Sequence, residues 1–486
     1  MYIRKNMEEN KLSKFVKLMS KKITESDLEL VNLGNSLGLD LVLYSELRSS
    51  QEERYTDDVR EKALDKLQKQ NDNHLSFNDC FYAGSIDFMV CDEPIGKKFF
   101  LLETNGGSNR GLSILTKKQQ SILYDGYYEA INQAIKSNKR GDNKTLILVG
   151  VPVNDDLIHE KVIMIEYFRR KIVQKDLSVG IYNIENFVHN FKEDAAFLIA
   201  DYKQLSTSLS FSDGWVKFDE MAKISVLIGD GIARRLQNEN FFKLISEDFR
   251  KINSIVVNPI FQITDDKSLT YLASYYAKKT LEKYNLKSLL FTKSFTEEQL
   301  IEKLNYVIKK YKKPFIIKPN GGSGGAGVIP IDPKVEEKNL KRLIEISKSE
   351  FFAKFKENRS PYPYTIQEMA SFKLIKWKNS IHTYDIRLYL AQKNGKIVPV
   401  GGLARIARGA YKGTLNKEEF VVNLSGFNGV IEVDRGLGIS SKNAKILDLE
   451  TDDFINMSCV GCIVFASIIN NYKKVIEFSN WNQIIS

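Results

Sequence analysis

A lysine followed at once by a glycine-rich loop is the strongest chemical signal in this sequence of 486 residues. The apolar run at 315–317 predicts a buried strand that leads into Lys318, and five glycines follow within the eight residues 320–327. Amides of a loop without Cβ atoms can surround an anion, and a lysine beside them adds positive charge. The pattern indicates a nucleotide-phosphate site, with a mobile glycine-rich surface turn as the alternative. The residues concerned are Lys318, Gly321, Gly322, Ser323, Gly324 and Gly325.

A second group of polar residues stands at the end of a predicted hairpin whose strands cover 85–90 and 99–105. Glu103 and Asn105 lie two positions apart on the second strand, so their side chains share one face. Asp87, on the first strand, is a candidate third oxygen ligand. Carboxylate and amide oxygens suit a Mg²⁺ ion that bridges nucleotide phosphates. The alternative is a polar hairpin end that leads into a glycine turn.

The composition favours a soluble globular protein of two or three packed units, because 43% of the residues are hydrophobic and 27% charged. The net charge of +10 is spread along the chain without a stripe of basic and aromatic residues, so nucleic acid is not an expected partner. The longest apolar run, 459–469, suits a core helix, and the N-terminus lacks an apolar signal segment. We therefore expect a cytoplasmic protein without membrane contact.

Histidine and cysteine chemistry is not expected. Only four histidines are present, which disfavours reactions built on histidine clusters. The Cys-x-x-Cys pair in the apolar run has no second pair at metal-ligand spacing, so buried structural thiols are expected. The four cysteines are Cys80, Cys91, Cys459 and Cys462.

The order of predicted elements divides the chain into four regions. Residues 1–78 form a helical accessory region, and 79–144 hold the hairpin and a following helix. Strands alternate with helices over 145–260, which predicts a small parallel α/β domain. Residues 261–486 contain a helix over 269–284 that Asp266 and Lys267 open, the glycine loop and a further hairpin.

Together these segments resemble the ATP-grasp enzymes over roughly residues 80–430. In that family one lysine comes from a helix start, which matches Lys267, and a second precedes the glycine loop, which matches Lys318. A Glu-x-Asn motif holds the magnesium ions. The Gln-Glu hinge strand that lines the adenine is matched by Gln367, Glu368, Met369 and Ala370.

The position of the Glu-x-Asn motif is unusual. Most members carry it C-terminal to the other motifs, whereas Glu103 lies far N-terminal. This order is similar to the circularly permuted group, which includes eukaryotic-type glutathione synthetases and bacterial permuted carboxylate–amine ligases. The resemblance implies a mixed α+β and α/β ATP-grasp fold, circularly permuted, with an inserted small parallel α/β domain at 145–260. Residues 79–144 would be the metal-binding part of one lobe, and 261–486 the nucleotide-binding lobes with a lid loop.

The resemblance also implies a reaction. Family members activate a carboxylate as an acyl phosphate with ATP, and an amine then displaces the phosphate. The implied cofactors are ATP and Mg²⁺, and the substrates are a small-molecule or peptide carboxylate and an amine, such as amino acids. The lysines Lys267 and Lys318 would neutralise phosphates. The implied metal ligands are Asp87, Glu103 and Asn105.

Two arginines on the second hairpin complete the implied site. Arg405 and Arg387 would stabilise the transferred phosphoryl group or hold the substrate carboxylate through paired hydrogen bonds. For Arg387, a salt bridge with Asp385 or another surface acid is an equal alternative. Residues that adjoin the metal motif are candidate substrate contacts. They are Ser108, Asn109 and Arg110.

Two other functions stay open at this point. One is a phosphotransferase on the same fold, and the other is an ATP-binding regulatory protein with degenerate chemistry. The glycine loop lacks the acidic metal ligand that some permuted members carry, which favours degeneracy, whereas the retained lysines, Glu103, Asn105 and Arg405 favour an enzyme. The sequence does not name the acid, the amine or the oligomeric state.

Overall fold

The computed structural model describes residues 14, 18, 45–70, 81–94, 96–106, 111–138, 144–151, 158–229, 252–322, 324–355, 360–414, 416–424 and 432–485. These residues form two compact units. Unit 1 takes the described residues of Met1–Ser45, Asp79–Ala83 and Gly107–Phe261. Unit 2 takes those of Glu46–Asn78, Gly84–Gly106 and Gln262–Ser486.

The described chain contains both helices and strands. The helices are α1 (Ser45–Ser49), α2 (Glu53–Lys69), α3 (Lys117–Asn138), α4 (Ile158–Val173), α5 (Tyr202–Ser208), α6 (Phe261–Thr264), α7 (Lys267–Tyr276), α8 (Lys278–Glu282), α9 (Glu297–Tyr311), α10 (Glu337–Phe355), α11 (Ser441–Ile446), α12 (Thr451–Asn470) and α13 (Tyr472–Ile476). The strands are β1 (Ala83–Glu93), β2 (Gly96–Asn105), β3 (Thr145–Val151), β4 (Val179–Asn183), β5 (Ala195–Asp201), β6 (Leu209–Ser212), β7 (Trp215–Phe218), β8 (Ala222–Lys223), β9 (Val226–Gly229), β10 (Ile255–Val256), β11 (Phe291–Ser294), β12 (Phe315–Lys318), β13 (Ile329–Ile331), β14 (Tyr364–Glu368), β15 (Leu374–Trp377), β16 (Ser380–Lys393), β17 (Lys396–Ile406) and β18 (Gly436–Gly438).

Unit 1 is built on a five-stranded parallel sheet with the order β10-β9-β3-β5-β4. Every residue of β3 and β5 is buried, as expected for central strands of a parallel sheet that is covered on both faces. Helix α3 contacts β3, and α4 contacts β4. A small antiparallel sheet, β6-β7-β8, adds to this unit. A small parallel sheet is therefore present where the sequence predicts one.

Unit 2 contains a larger sheet with the order β18-β17-β16-β1-β2, and β15 pairs with β16. The first predicted hairpin is β1 and β2, in which Asp87 lies opposite Glu103. The second is β16 and β17, in which Asp385 lies opposite Arg405. Directly opposed residues of an antiparallel pair project from the same face of the sheet. Each hairpin thus presents a pair of charged side chains.

Helix α12 is the apolar centre of unit 2 and contacts α2, α7, β16 and β17. Within the described ranges it is the one helix long and apolar enough to cross a membrane, and 89% of its apolar window is buried inside the structure. It is the core helix that the sequence predicts. Cys459 and Cys462 lie in it as buried thiols outside any disulfide, and Cys91 in β1 is also buried and not disulfide-bonded. Cys80 lies outside the described residues.

A second, four-stranded sheet of unit 2 carries the glycine loop. All neighbours in its order β11-β14-β12-β13 are antiparallel, and α9 and α10 pack apolar side chains onto it. Strand β12 ends at Lys318, and β13 begins at Ile329. Between them, Gly321 and Gly324 have φ angles of 61° and 62°, in the left-handed region that glycine adopts without steric cost. The predicted strand, loop and strand are all present.

Candidate active site

Lys318 ends in a buried pocket whose other polar members are uncharged. Its Nζ lies 2.5 Å from Gln367 Oε1 and 2.9 Å from Tyr271 Oη. Pairing of β12 with β14 sets Ile316 opposite Gln367, and Lys318 shares the face of Ile316 because it lies two residues further on. We call Lys318, Gln367 and Tyr271 the lysine pocket.

The electrostatics of the lysine pocket are unusual for a lysine. Burial lowers the pKa of Lys318 to about 7, and the positive charge of Lys267 acts in the same direction, while Glu103 opposes it. Burial raises the pKa of Tyr271 well above its ordinary value, and the negative charge of Glu103 adds to this. Tyr271 therefore remains a neutral hydroxyl that accepts from Lys318. An anion that approaches Lys318 would stabilise its charged form.

Lys267 is the first residue of α7, which Asp266 caps by accepting a hydrogen bond of 3.1 Å from the amide of Leu269. Lys267 Nζ lies 3.1 Å from Glu103 Oε2. Tyr271 follows one helical turn later and so lies on the same side of the helix. Helix α7 thus connects the lysine pocket to the predicted metal motif.

The arginines form a row of alternating charges on the larger sheet, which we call the arginine row: Asp385, Arg405, Asp87 and Arg387. Arg405 donates from Nε to Asp385 Oδ1 at 2.8 Å and from Nη2 to Asp87 Oδ2 at 2.7 Å. Arg387 donates from Nε and Nη2 to the two oxygens of Asp87, both at 2.7 Å. Arg387 Nη2 also lies 3.6 Å from Glu103 Oε1. Arg387 pairs with Asp87 and not with Asp385. The salt bridge that the sequence leaves as an alternative is therefore present, with a buried acid of the first hairpin as its partner.

The two aspartates of the row titrate differently. Burial raises the pKa of Asp87, but Arg387 and Arg405 outweigh it and hold that pKa well below its ordinary value. Asp385 has one arginine partner, and burial together with the nearby charge of Asp87 raises its pKa to about 6 against the influence of Arg405. Asp87 is therefore the central anion of the row.

The predicted metal ligands do not all have the same environment. Both oxygens of Asp87 already accept from arginines, so the structure does not offer Asp87 as a metal ligand. Glu103, at the edge of the row, keeps a third of its side chain exposed. The buried Nδ2 of Asn105 has no partner, and since the two ends of an amide exchange by a flip, this position can present an oxygen. Glu103 and Asn105 thus fit Mg²⁺.

No cluster of three or more His, Cys, Asp or Glu side chains suited to a metal ion occurs among the described residues. Mg²⁺ often takes only one or two protein carboxylates and completes its shell with phosphate oxygens and water, so magnesium binding at Glu103 and Asn105 stays a prediction.

The predicted hinge strand has a different role at each residue. Gln367 turns its side chain to Lys318, and Glu368 binds Lys313 at 2.7 Å. The amides of Glu368 and Met369 donate to backbone carbonyls at 2.7 and 3.0 Å. Ala370 packs in an apolar cluster with buried residues of β1 and β2. An adenine-lining role stays a prediction for this strand, and the side chain of Gln367 is engaged elsewhere.

Several predicted residues cannot be placed, and two that matter were not predicted. Ser323 and the segment 108–110 (Ser108, Asn109 and Arg110) lie outside the described residues. Tyr271 was not a candidate, although its position one turn after Lys267 is a usable signal. Asp385 was considered only as a partner of Arg387, yet the register of the hairpin sets it opposite Arg405.

The comparisons with known proteins give one short sequence match and several distant structural likenesses. No protein-family model matches the chain. Over 71 residues it is 39% identical to phosphoribosylamine–glycine ligase of Thermotoga maritima, a segment that covers 14% of this chain and only 17% of that enzyme.

Solved structures that resemble the chain include a glutathione synthetase-like effector from Globodera pallida, with 14% identity, a TM-score of 0.37 and coverage of 74% of this chain and 80% of that one. D-cycloserine synthetase has 8% identity and a TM-score of 0.32 over 67% and 81% of the two chains. D-alanyl-alanine synthetase A of Vibrio cholerae has 11% identity and a TM-score of 0.32 over 63% and 78%.

These are ATP-grasp proteins, the group that the sequence resembles. With TM-scores below 0.5 the likenesses carry no argument by themselves, so the site proposed below rests on the contacts described above. The permuted order of the motifs stays a prediction.

Proposed function

We propose that unit 2 binds ATP and that the protein is an ATP-dependent carboxylate–amine ligase that releases ADP and phosphate. One observation carries the proposal: two lysines and an arginine converge on Glu103 and its strand. Lys267 Nζ lies 3.1 Å and Arg387 Nη2 3.6 Å from the Glu103 carboxylate. Lys318 is linked to the same strand because its partner Tyr271 donates to the carbonyl of Leu102.

The lysine pocket suits a nucleotide phosphate. Lys318 has only neutral hydrogen-bond partners, so a phosphate would supply the counter-charge that the protein does not. The loop from Gly321 onward begins three residues after this lysine and can add backbone amides. Phosphoryl transfer depends on charge neutralisation and alignment and needs little proton shuttling. A pocket of this kind supplies both.

Glu103 and Asn105 would hold Mg²⁺. When bound, Mg²⁺ neutralises phosphate charge and helps to align phosphate oxygens. Lys267, which contacts Glu103 in this structure, would then bind the same phosphates as the Mg²⁺ held by Glu103 and Asn105.

The arginine row would hold the carboxylate substrate. The Nε and Nη2 groups of Arg387 and Arg405 are fixed by aspartates, which leaves the Nη1 groups to receive a carboxylate or the transferred phosphoryl group. A carboxylate oxygen attacks the γ-phosphorus, and the bond from that phosphorus to the ADP oxygen breaks. The amine nitrogen then attacks the acyl carbon, phosphate leaves with the bonding electrons, and the amine loses one proton. Fixed arginines favour both steps by orientation.

The test is nucleotide turnover by the purified full-length protein with Mg-ATP and pools of amino acids and short peptides. We expect ADP and phosphate only when a pool is present, together with a ligated product. Lys318→Met should lower kcat/KM by about 100-fold or more, as loss of a group that stabilises developing charge does. Lys313→Met is the matched control, because Lys313 is 55% exposed and precedes the same strand.

Each other outcome has a clear meaning. AMP and pyrophosphate would contradict activation through an acyl phosphate. ADP with a stable phosphorylated product and no ligation would replace the ligase by a phosphotransferase. ATP binding without turnover in any pool would contradict the ligase and favour the regulatory alternative.

A further inference from the structure

The glycine loop is tied at its end to helix α10. The amide of Gly327 donates to Glu350 Oε2 at 3.0 Å, and the hydroxyl of Ser347 donates to the carbonyl of Gly327. A Cβ on Gly327 would stand 2.8 Å from the Ser347 carbonyl oxygen. This end of the loop therefore lies directly against the helix, and only glycine permits the contact.

On its other side the loop touches residues 416–424, which we call the strap. A Cβ on Gly325 would lie 2.9 Å from Val421 Cγ1, and one on Gly324 would lie 2.9 Å from Asn423 Nδ2. A Cβ at either glycine would thus approach a strap side chain more closely than van der Waals contact allows. The loop is thus seated on the strap in this structure.

One carboxylate joins the loop and the strap. Glu350 Oε2, which accepts from Gly327, also accepts from Lys417 Nζ of the strap. Glu350 keeps 34% and Lys417 27% of its side chain exposed. An ion pair with this access to water is weak and exchanges readily with solvent. The contact can therefore open and close.

The strap itself has a firm base. The buried carboxylate of Glu419 accepts from the amides of Lys412 and Gly413, each at 3.0 Å, and from the hydroxyl of Thr414. The hydroxyl of Thr383 in β16 donates to the Glu419 carbonyl. These hydrogen bonds fix Glu419 of the strap, while Lys417, two residues earlier, keeps access to solvent, and a reversible latch requires both.

We propose that Glu350 and Lys417 are positioning residues that latch the glycine loop onto the strap and so close it over the bound phosphates. The role in catalysis rests on the proposed function. A closed loop keeps water from an activated carboxylate, and release of the latch lets the nucleotide exchange. Neither residue touches the reacting atoms.

The first test needs no nucleotide. Hydrogen–deuterium exchange of peptides that span 320–328 is compared in full-length wild type, Glu350→Gln, Lys417→Met and the double variant. We expect exchange in these peptides to rise about fivefold in each single variant and no further in the double variant, because both changes break one contact. Glu345→Gln is the matched control, since Glu345 lies on the same helix, 60% exposed and paired with Lys348.

Unchanged exchange in both single variants would overturn the latch, and so would additive effects in the double variant. Global unfolding of each variant is measured in parallel, and a common loss of stability would explain the exchange without a latch. These outcomes do not depend on whether the protein is a ligase.

The second test measures how tightly phosphate release is coupled to ligation. Wild type should release about one phosphate for each ligated product, whereas the latch variants should release several, because water reaches the acyl phosphate through the open loop. An unchanged ratio despite faster loop exchange would overturn water exclusion by the latch. An inactive wild type would instead refute the proposed function and leave the exchange result to decide the latch.

Discussion

The lysine pocket and the arginine row both bury cations in unit 2, and they hold them in opposite ways. Lys318 donates to an amide and a hydroxyl, whereas Arg387 and Arg405 donate to two aspartates. The row contains two positive and two negative side chains and is neutral as a whole. The pocket contains one cation without a carboxylate partner of its own.

The difference in hydrogen-bond partners suits the buried cations to two different functions. A cation paired with carboxylates is fixed in position, and its pKa stays high, so it is charged before any ligand arrives. A buried cation with neutral partners has a lowered pKa, as Lys318 does, and gains most when an anion binds. We infer that the row orients the substrate, while the pocket responds to the nucleotide.

Removing the central anion of the row should have the largest effect on stability. Asp87→Asn leaves Arg405 with Asp385 alone and Arg387 with only the 3.6 Å contact to Glu103, and we expect the free energy of unfolding to fall by about 3–5 kcal/mol. Because the folded pKa of Asp87 is lowered, its stabilisation is present above the unfolded pKa and is lost only in acid. Urea unfolding between pH 5 and pH 9 measures the loss.

Asp92→Asn is the control for that comparison. Asp92 lies in the same strand but is 57% exposed and pairs with Lys373, so its replacement should cost about 0–1 kcal/mol. An equal loss in both variants would contradict the central place of Asp87.

In the lysine pocket we expect a substitution to raise the free energy of unfolding instead of lowering it. Lys318 titrates near 7 in the folded protein against 10.5 as its ordinary value, so the unfolded chain binds more protons between these pH values. The free-energy cost of burying Lys318 is fully present below pH 7 and shrinks as the pH rises to 10.5. Lys318→Met should therefore raise the free energy of unfolding by about 2–4 kcal/mol at pH 7, and this gain should shrink by about 1.4 kcal/mol per pH unit above it.

Urea unfolding of wild type and variant at pH 7, 8 and 9 checks both the sign and the slope. The exposed Lys313→Met should change the free energy of unfolding little at any of these pH values. A Lys318→Met protein that is less stable than wild type at pH 7 would show that Lys318 is held as firmly as the arginines.

The smallest effect is expected from the hydroxyl of Tyr271. Tyr271→Phe removes one acceptor from Lys318, which should cost about 1 kcal/mol and lower the pKa of Lys318 further. When nucleotide affinity is measured as a function of pH, its decrease with rising pH should then begin at a lower pH than in wild type. Tyr275→Phe is the control, because Tyr275 lies in the same helix and is 41% exposed, and it should leave the pH profile of nucleotide affinity unchanged. An unchanged profile in Tyr271→Phe would show that Tyr271 does not affect the titration of Lys318.

The local parts of this site could be predicted from the sequence. Glycine density after Lys318, the helix start at Lys267 and the Glu-x-Asn spacing at Glu103 are each encoded within a few residues, and the structure places them in unit 2. The parallel sheet of unit 1 followed from the alternation of strands and helices in the same way.

Partners that are distant in sequence could not be predicted. Asp87 meets Arg387 and Arg405 across 300 and 318 residues, so its carboxylate was assigned to a metal, although the structure gives it to arginines. Gln367 was assigned to adenine because of its strand, yet its side chain turns to Lys318. In both cases the residue type allowed two sets of contacts, and the packing of separate strands, which the sequence does not encode locally, sets the contacts that are present.

The most direct test of the account is calorimetry of ADP binding with Mg²⁺ at pH 8 in two buffers of different ionisation enthalpy. At that pH Lys318 is mostly neutral, so a phosphate that binds beside it should draw about one proton from the buffer in wild type. Lys318→Met should bind more weakly and without that uptake. Equal affinity and equal proton exchange in the two proteins would contradict a nucleotide site at Lys318.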